Sequence, residues 1–239
     1  MKIIYKVFDK IIHIIKQRIE IRPIAEFQSA LAFEDSQKFI YEKSGLRTMT
    51  FIDHWDLRTY CLKEMPSVGE VLEFGVFKAK SINFMAKYLS DLDDERKIVG
   101  FDSFRGFSEE WSGVDRKYEK EFFDQSGVLP KVESNVELVD GFIEDTLPSF
   151  IERRELDTVA FVHIDTDTYT PAKVALELLK PYLRKGSIIL FDELCGYPNW
   201  RSHEYKALTE VLNANEYEFL GFAQSHPRAQ LIKAAIRIL

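Results

Sequence analysis

Two short acidic stretches stand where chemistry could be done. Asp165-Thr-Asp167 follows the apolar run 158–164, and Asp192-Glu193 follows the apolar run 187–191. Between them, Ala172, Ala175, Leu176 and Leu179 recur at helical spacing. A strand, a crossover helix and a second parallel strand form a right-handed unit that brings both carboxyl ends to one edge. Asp165, Asp167, Asp192 and Glu193 are therefore expected in one small volume. Four carboxylates at close range cannot all stay ionised in a partly buried cleft, so either some hold protons or a cation sits among them. With no Cys or paired His nearby, the donors suit Mg2+, Mn2+ or Ca2+ rather than zinc. The plainer alternative is that some of these acids cap helices or pair with Lys or Arg.

The other strand ends carry related residues. Glu73-Phe-Gly75 closes an apolar run that starts at Val68, and Asp102 closes the run 97–101. In open α/β sheets ligands bind beyond the carboxyl ends of the strands. Taken singly, Glu73 and Asp102 read as ordinary turn residues. His163 alternates onto the same strand face as Asp165, either to orient a carboxylate or as a hydrogen-bonded core histidine. Tyr197, Trp200 and His203 either line an acceptor pocket or simply pack. Two motifs are set aside. Gly75-Val-Phe-Lys-Ala-Lys-Ser81 lacks the glycines that let a backbone approach a dinucleotide pyrophosphate. Tyr169-Thr-Pro-Ala-Lys173 has the Tyr-x-x-x-Lys spacing of short-chain dehydrogenases. It falls at a helix start, however, where Thr170 can cap and Pro171 fits the first turn.

Strands at 68–74, 97–101, 135–139, 158–164, 187–191, 216–223 and 230–236 are expected to position these residues. Near-continuous apolar strands that alternate with helices indicate an α/β fold, a parallel sheet covered on both faces. The polar, aromatic-rich segment 103–131 is long for a structureless loop and suggests a lid. Residues 24–65 look helical, and Pro66 ends them. Residues 1–66 are thus expected as a helical N-terminal extension and residues 67–239 as the main domain. Residues 1–22 form a basic amphipathic pattern that suits packing on the domain or on a second subunit, or else a membrane surface.

The chain has 239 residues, 46% of them hydrophobic and 30% charged, which fits one folded domain with an appendage and excludes a disordered or collagen-like chain. A net charge of −7 argues against nucleic acid bound over a broad surface. Cys61 and Cys195 are too few for a disulfide framework and fit a reducing compartment. With no secretory signal and no apolar run of membrane-spanning length, a cytoplasmic protein is expected.

In order, Val-Leu-Glu73-Phe-Gly75, Gly-Phe-Asp102-Ser-Phe-Arg-Gly-Phe, Asp145-Thr-Leu-Pro, Val-His-Ile-Asp165-Thr-Asp167 and Ile-Leu-Phe-Asp192-Glu193 resemble class I S-adenosylmethionine-dependent methyltransferases. Within these the chain is most similar to the macrocin O-methyltransferase family, which methylates sugar hydroxyls. The resemblance spans roughly 68–236 and implies a Rossmann-like, seven-stranded, mostly parallel sheet. It implies that Glu73 and Gly75 border the methionine part of S-adenosylmethionine, with Asp165 also among the cofactor-binding residues. Asp102 and Ser103 would lie at the ribose, and Asp140, Gly141 and Phe142 at adenine. It further implies Asp165, Asp192 and Glu193 as ligands of Mg2+ or another hard divalent ion, and Asp167 as general base. A small-molecule acceptor with a sugar hydroxyl follows, with a homodimer as a further expectation. Two departures stand out. The family usually has a glycine near Ala79, and Glu193 stands where the family has Asp or Asn. A catechol-type O-methyltransferase, a non-catalytic cofactor-binding subunit and an NAD-dependent reductase are the competing readings.

Overall fold

The computed structural model describes residues 27–109, 123–226 and 229–239. The basic segment 1–22 and the middle of the 103–131 segment lie outside the described residues. Helical residues 27–43 (α1) lead into β1 (Met49–Phe51) and α2 (His54–Glu64). Next come β2 (Glu70–Phe74), α3 (Lys80–Asp91), β3 (Ile98–Asp102), β4 (Val136–Asp140) and α4 (Ile143–Arg154). The chain continues through β5 (Val159–Ile164), α5 (Tyr169–Leu179), β6 (Leu183–Cys195), α6 (Glu204–Val211), β7 (Tyr217–His226) and β8 (Ala229–Ile238).

All the strands join one sheet in the order β1-β7-β8-β6-β5-β2-β3-β4. The pairings are parallel except that β8 runs antiparallel to both β6 and β7. The Rossmann-like expectation holds with one correction: the sheet has 8 strands, not seven. The added strand is β1, three residues inside the stretch expected to be helical, which pairs with β7 from Met49↔Gly221 to Phe51↔Ala223. Three residues are too few to display a period, so only the tertiary pairing reveals this strand.

Side-chain alternation sends successive residues of each strand to opposite faces. On one face Leu72, Phe74, Val162, Ile164 and Phe191 pack with α4, α5, α6 and Phe39 of α1. On the other, Val71, Phe161, Ile188, Leu190 and Ala235 pack with α2 and α3. The six residues of β5 are all buried, as a central parallel strand covered on both faces must be. Ile82, Met85, Ala86 and Leu89 of α3 share one buried stripe. Full burial of each large apolar side chain contributes about 1.5–3 kcal/mol, so these stripes hold the helices on the sheet.

A second correction concerns α5. Thr168, not Thr170, occupies its N-cap position and makes no side-chain capping bond. The Glu109 carboxylate does that work, accepting from the Thr170 N–H at 2.8 Å and from its hydroxyl at 2.7 Å. A stem of the long 103–131 segment is thereby tied to the helix that follows Asp165-Thr-Asp167.

Candidate active site

A cleft of about 280 Å3 opens at the carboxyl edge of the sheet, lined by Gly75, Asp102, Ser103, Gly141, Phe142 and Asp165. Asp167 and Glu193 also line it, as does Glu144, which the sequence did not single out. Gly75 has φ +89°, and its N–H donates to the Phe101 carbonyl at 2.9 Å. A Cβ there would stand 1.8 Å from the Asp165 carbonyl oxygen. Only glycine lets the ends of β2 and β5 approach so closely. Asp102 accepts N–H bonds from Val76 at 2.8 Å, Phe77 at 2.7 Å and Phe104 at 2.7 Å. It therefore fixes both loops around the cleft. A carboxylate has about four lone-pair sites, so one stays free for a ligand hydroxyl. Ala79, at the start of α3, has φ +59°, the left-handed conformation glycine accepts more readily. This accounts for the glycine usual there in the family.

Glu73 and Asp140 do not line this cleft. Asp140 pairs with Arg105 at 2.6 Å and 3.2 Å. Glu73 is fully buried, on the face that carries Val71. Alternation places His163 beside it as its register partner, then Asp192 on β6 and Lys233 on β8 on the same face. Arg58 reaches down from α2. Its Nη2 lies 3.0 Å from His163 Nε2 and 3.3 Å from Asp192 Oδ1. His163 Nε2 thus lies between Arg58 Nη2 and Asp192 Oδ1, the latter at 3.2 Å, and its Nδ1 lies 2.9 Å from Glu73 Oε2. Lys233 forms an ion pair with Asp192 Oδ2. Arg58 and Lys233 thus both pair with Asp192, Glu73 pairs with His163, and Asp165 forms no ion pair among the described residues.

Asp192 and Glu193 are consecutive in β6 and diverge to opposite faces. Glu193 lines the first cleft with Asp167, to which it is hydrogen-bonded. Behind it lies the fully buried Glu204 of α6, which accepts the Glu193 N–H at 3.1 Å. Glu193 Oε2 and Glu204 Oε1 have no hydrogen-bond partner among the described residues. Burial, then the neighbouring Glu193 and Asp165 charges, hold Asp167 well above the usual carboxylate range. Burial and then Glu193 do the same to Glu204. Burial and then the Asp192 charge raise Asp165 to about 8 and Glu193 to about 7.

These shifts have a consequence for stability. The unfolded chain releases the same protons near the ordinary values of 3.8 and 4.5. Between those values and about 8 the folded state binds more protons, so stability falls as pH rises. We expect the Tm of the ligand-free protein to drop from pH 5 to pH 8, and Asp165→Asn to flatten the fall. A Tm that rises or stays level over that range in thermal denaturation contradicts the carboxyl burial described here.

The donor atoms of His163, Asp165 and Asp192 all lie within 4.8 Å of one another. Asp165 and Asp192, two of the three expected ligands, belong to that group, and Asp192 is at the same time paired with Arg58 and Lys233. Glu193 does not belong to that group. Arg58, Lys233 and Glu204 escaped the sequence reading. Lys233 was the most legible of them, a lone lysine within the apolar run of β8. Tyr197, Trp200 and His203 do not line the cleft. Trp200 packs against Phe39 with ring centroids 5.1 Å apart. The Tyr169–Lys173 pair is occupied by Glu210 of α6: Lys173 Nζ donates to the Tyr169 hydroxyl at 3.0 Å and to Glu210 at 3.0 Å.

The strand order, the glycine cradle and the acid-lined cleft define a class I S-adenosylmethionine-dependent methyltransferase. The chain belongs to the methyltransferase domain family, whose model matches residues 72–194. One relative is the 8-demethyl-8-(2,3-dimethoxy-alpha-L-rhamnosyl)-tetracenomycin-C 4'-O-methyltransferase of Streptomyces olivaceus. It is 30% identical over 171 residues, and the match spans 63% of this chain and 63% of that protein's length. The calicheamicin methyltransferase CalS11 is similar at 28% identity and a TM-score of 0.57, covering 76% of this chain and 77% of that one. Its apo structure, described as a TDP-rhamnose 3'-O-methyltransferase, gives a TM-score of 0.51 at 28% identity, covering 76% of each chain. The O-methyltransferase NovP, at 20% identity and a TM-score of 0.52 over 77% of this chain and 78% of that one, shares the fold.

Proposed function

We propose that the protein is an O-methyltransferase that methylates a hydroxyl of a sugar or glycosylated small molecule, with Asp167 as general base. The observation that carries this reading is that Asp167 opens into the same cleft as Gly75, Asp102 and Ser103. S-adenosylmethionine, when bound, supplies a methyl group on a positively charged sulfur. Gly75 leaves room for its methionine part, Asp102 and Ser103 face the ribose, and Gly141 and Phe142 face adenine. The acceptor oxygen gains the methyl carbon, the sulfur keeps the electron pair of the broken bond, and the acceptor proton passes to Asp167. An alcohol holds that proton tightly at neutral pH. A buried carboxyl raised well above its usual range is a stronger base, once ionised, than a free one. Asp165 and Asp192, aided by His163, would hold a divalent ion such as Mg2+, which lowers the pKa of a neighbouring hydroxyl.

In this reading residues 67–239 carry the transfer, and residues 1–66 contribute to acceptor and dimer contacts. No helix among the described residues is long and apolar enough to cross a membrane. The reading includes a cytoplasmic location and a small-molecule acceptor rather than nucleic acid. The test is transfer of labelled methyl from S-adenosylmethionine to a panel of sugars, glycosides and catechols, with and without EDTA. Labelling of a sugar hydroxyl, suppressed by EDTA and restored by Mg2+, is the expected outcome. Labelling of catechols alone, or of no acceptor, overturns the reading, and undiminished transfer in excess EDTA removes the ion.

A further inference from the structure

A second cavity, of about 190 Å3, lies beside the first and shares Phe77 and Asp165 with it. Its walls include Trp55, Arg58, Lys78, Lys80 and Lys233, so four cationic side chains converge there in a chain whose net charge is −7. Arg58 and Lys233 are engaged by Asp192. Lys78 and Lys80 are exposed and form no ion pair among the described residues. Both ammonium groups are set over aromatic rings. Lys80 Nζ lies 5.2 Å from the Trp55 centroid, and Lys78 Nζ lies 4.9 Å from the Phe77 centroid. Arg58 also lies over Trp55, at 4.9 Å. Trp55 in turn rests on Phe84 of α3, with ring centroids 4.6 Å apart. His54, on the same wall, is pushed down to about 4 by burial and then by the Lys233 and Arg58 charges, so it adds no cation at neutral pH.

An uncharged glycoside has no use for two unmatched lysines at the mouth of its pocket, whereas a phosphorylated sugar does. We propose that the acceptor is a sugar still joined to a phosphate or diphosphate group, held by Lys78 and Lys80, rather than a finished neutral glycoside. Its reacting hydroxyl then points past Asp165 into the first cleft, where Asp167 stands. Methylation on this scheme precedes glycosyl transfer: a nucleotidyl- or phosphoryl-transfer reaction supplies the acceptor, and a glycosyltransferase consumes the product. The inference rests on the proposed O-methyl transfer and specifies its substrate class.

The test compares one sugar in three forms, as its nucleoside diphosphate ester, its 1-phosphate and its methyl glycoside, using the full chain. KM is expected to be at least about tenfold lower for a phosphorylated form than for the glycoside, and to rise with added salt. Lys78→Ala with Lys80→Ala is expected to raise that KM about tenfold, consistent with two exposed charge contacts. Calorimetry with thymidine diphosphate and with inorganic pyrophosphate reads the same site without turnover. Tighter binding of the nucleotide assigns a nucleoside diphosphate sugar, and equal binding assigns the phosphate groups alone. Equal KM values for the glycoside and the phosphorylated forms, or diphosphate binding unaffected by the lysine substitutions, overturn the proposal while leaving O-methyl transfer standing. Lysine-dependent diphosphate binding without methylation of any sugar sinks the transfer reading instead.

Discussion

Asp167→Asn is expected to lower kcat by about 10²–10⁴-fold while leaving the affinity for S-adenosylhomocysteine within about threefold of wild type. Asparagine keeps the size of the side chain and loses its capacity to take a proton. Asp167 sits in the left-handed region at φ +59°, which asparagine tolerates as well as aspartate does, so the backbone of the turn survives the exchange. Its hydrogen bond to Glu193 can also be kept, since an amide both donates and accepts. The substitution therefore separates proton removal from architecture. Single-turnover methyl transfer alongside calorimetric binding of the product cofactor provides the check. Turnover near wild type would move the base to another residue of the cleft.

Gly75→Ala is expected to abolish cofactor binding and to cost about 3–5 kcal/mol of stability. The cause is geometric and cannot be relieved by a rotamer. The added methyl would overlap the Asp165 carbonyl at 1.8 Å, and that carbonyl belongs to the backbone at the end of the central strand. The residue must also keep φ +89°, which alanine does not favour. For a chain of this length the loss corresponds to a Tm lower by roughly 10 °C. Thermal denaturation and S-adenosylhomocysteine calorimetry read the two effects separately. An alanine variant that binds the ligand normally would show that β2 and β5 need not approach so closely.

Much of the sheet was legible because its chemistry is local. The runs that became β2, β3 and β5 end at the acid or glycine that marked them, whereas β6 starts at Leu183 and runs on past Asp192 and Glu193 to Cys195; period-two alternation places His163 with Asp165. The same alternation should have separated Asp192 from Glu193. Grouping all four acids by strand end alone ignored that consecutive residues of a strand face opposite ways. Glu73 drew attention as a strand-end acid, yet its odd position in β2 turns it toward α2 and α3 and away from the cleft. Arg58 and Glu204 were hidden because each interrupts a helical apolar face only once. An isolated charge there looks like solvent exposure until the tertiary packing encloses it. β1 was invisible because its pairing with β7 spans most of the chain.

The burial of both cysteines has a practical consequence. Cys61 lies in the core between α2 and the sheet, Cys195 at the end of β6, and neither exposes any surface. Burial lifts both thiols to about 12. A maleimide or aromatic disulfide reagent meets almost no thiolate on the native molecule, so labelling proceeds only when those layers part. Reaction at Cys195 would time the loosening of the edge that carries Asp192 and Glu193, while Cys61 would time release of the helix that carries Arg58. The chain thus has two internal clocks for breathing on opposite sides of one sheet, with no engineered probe.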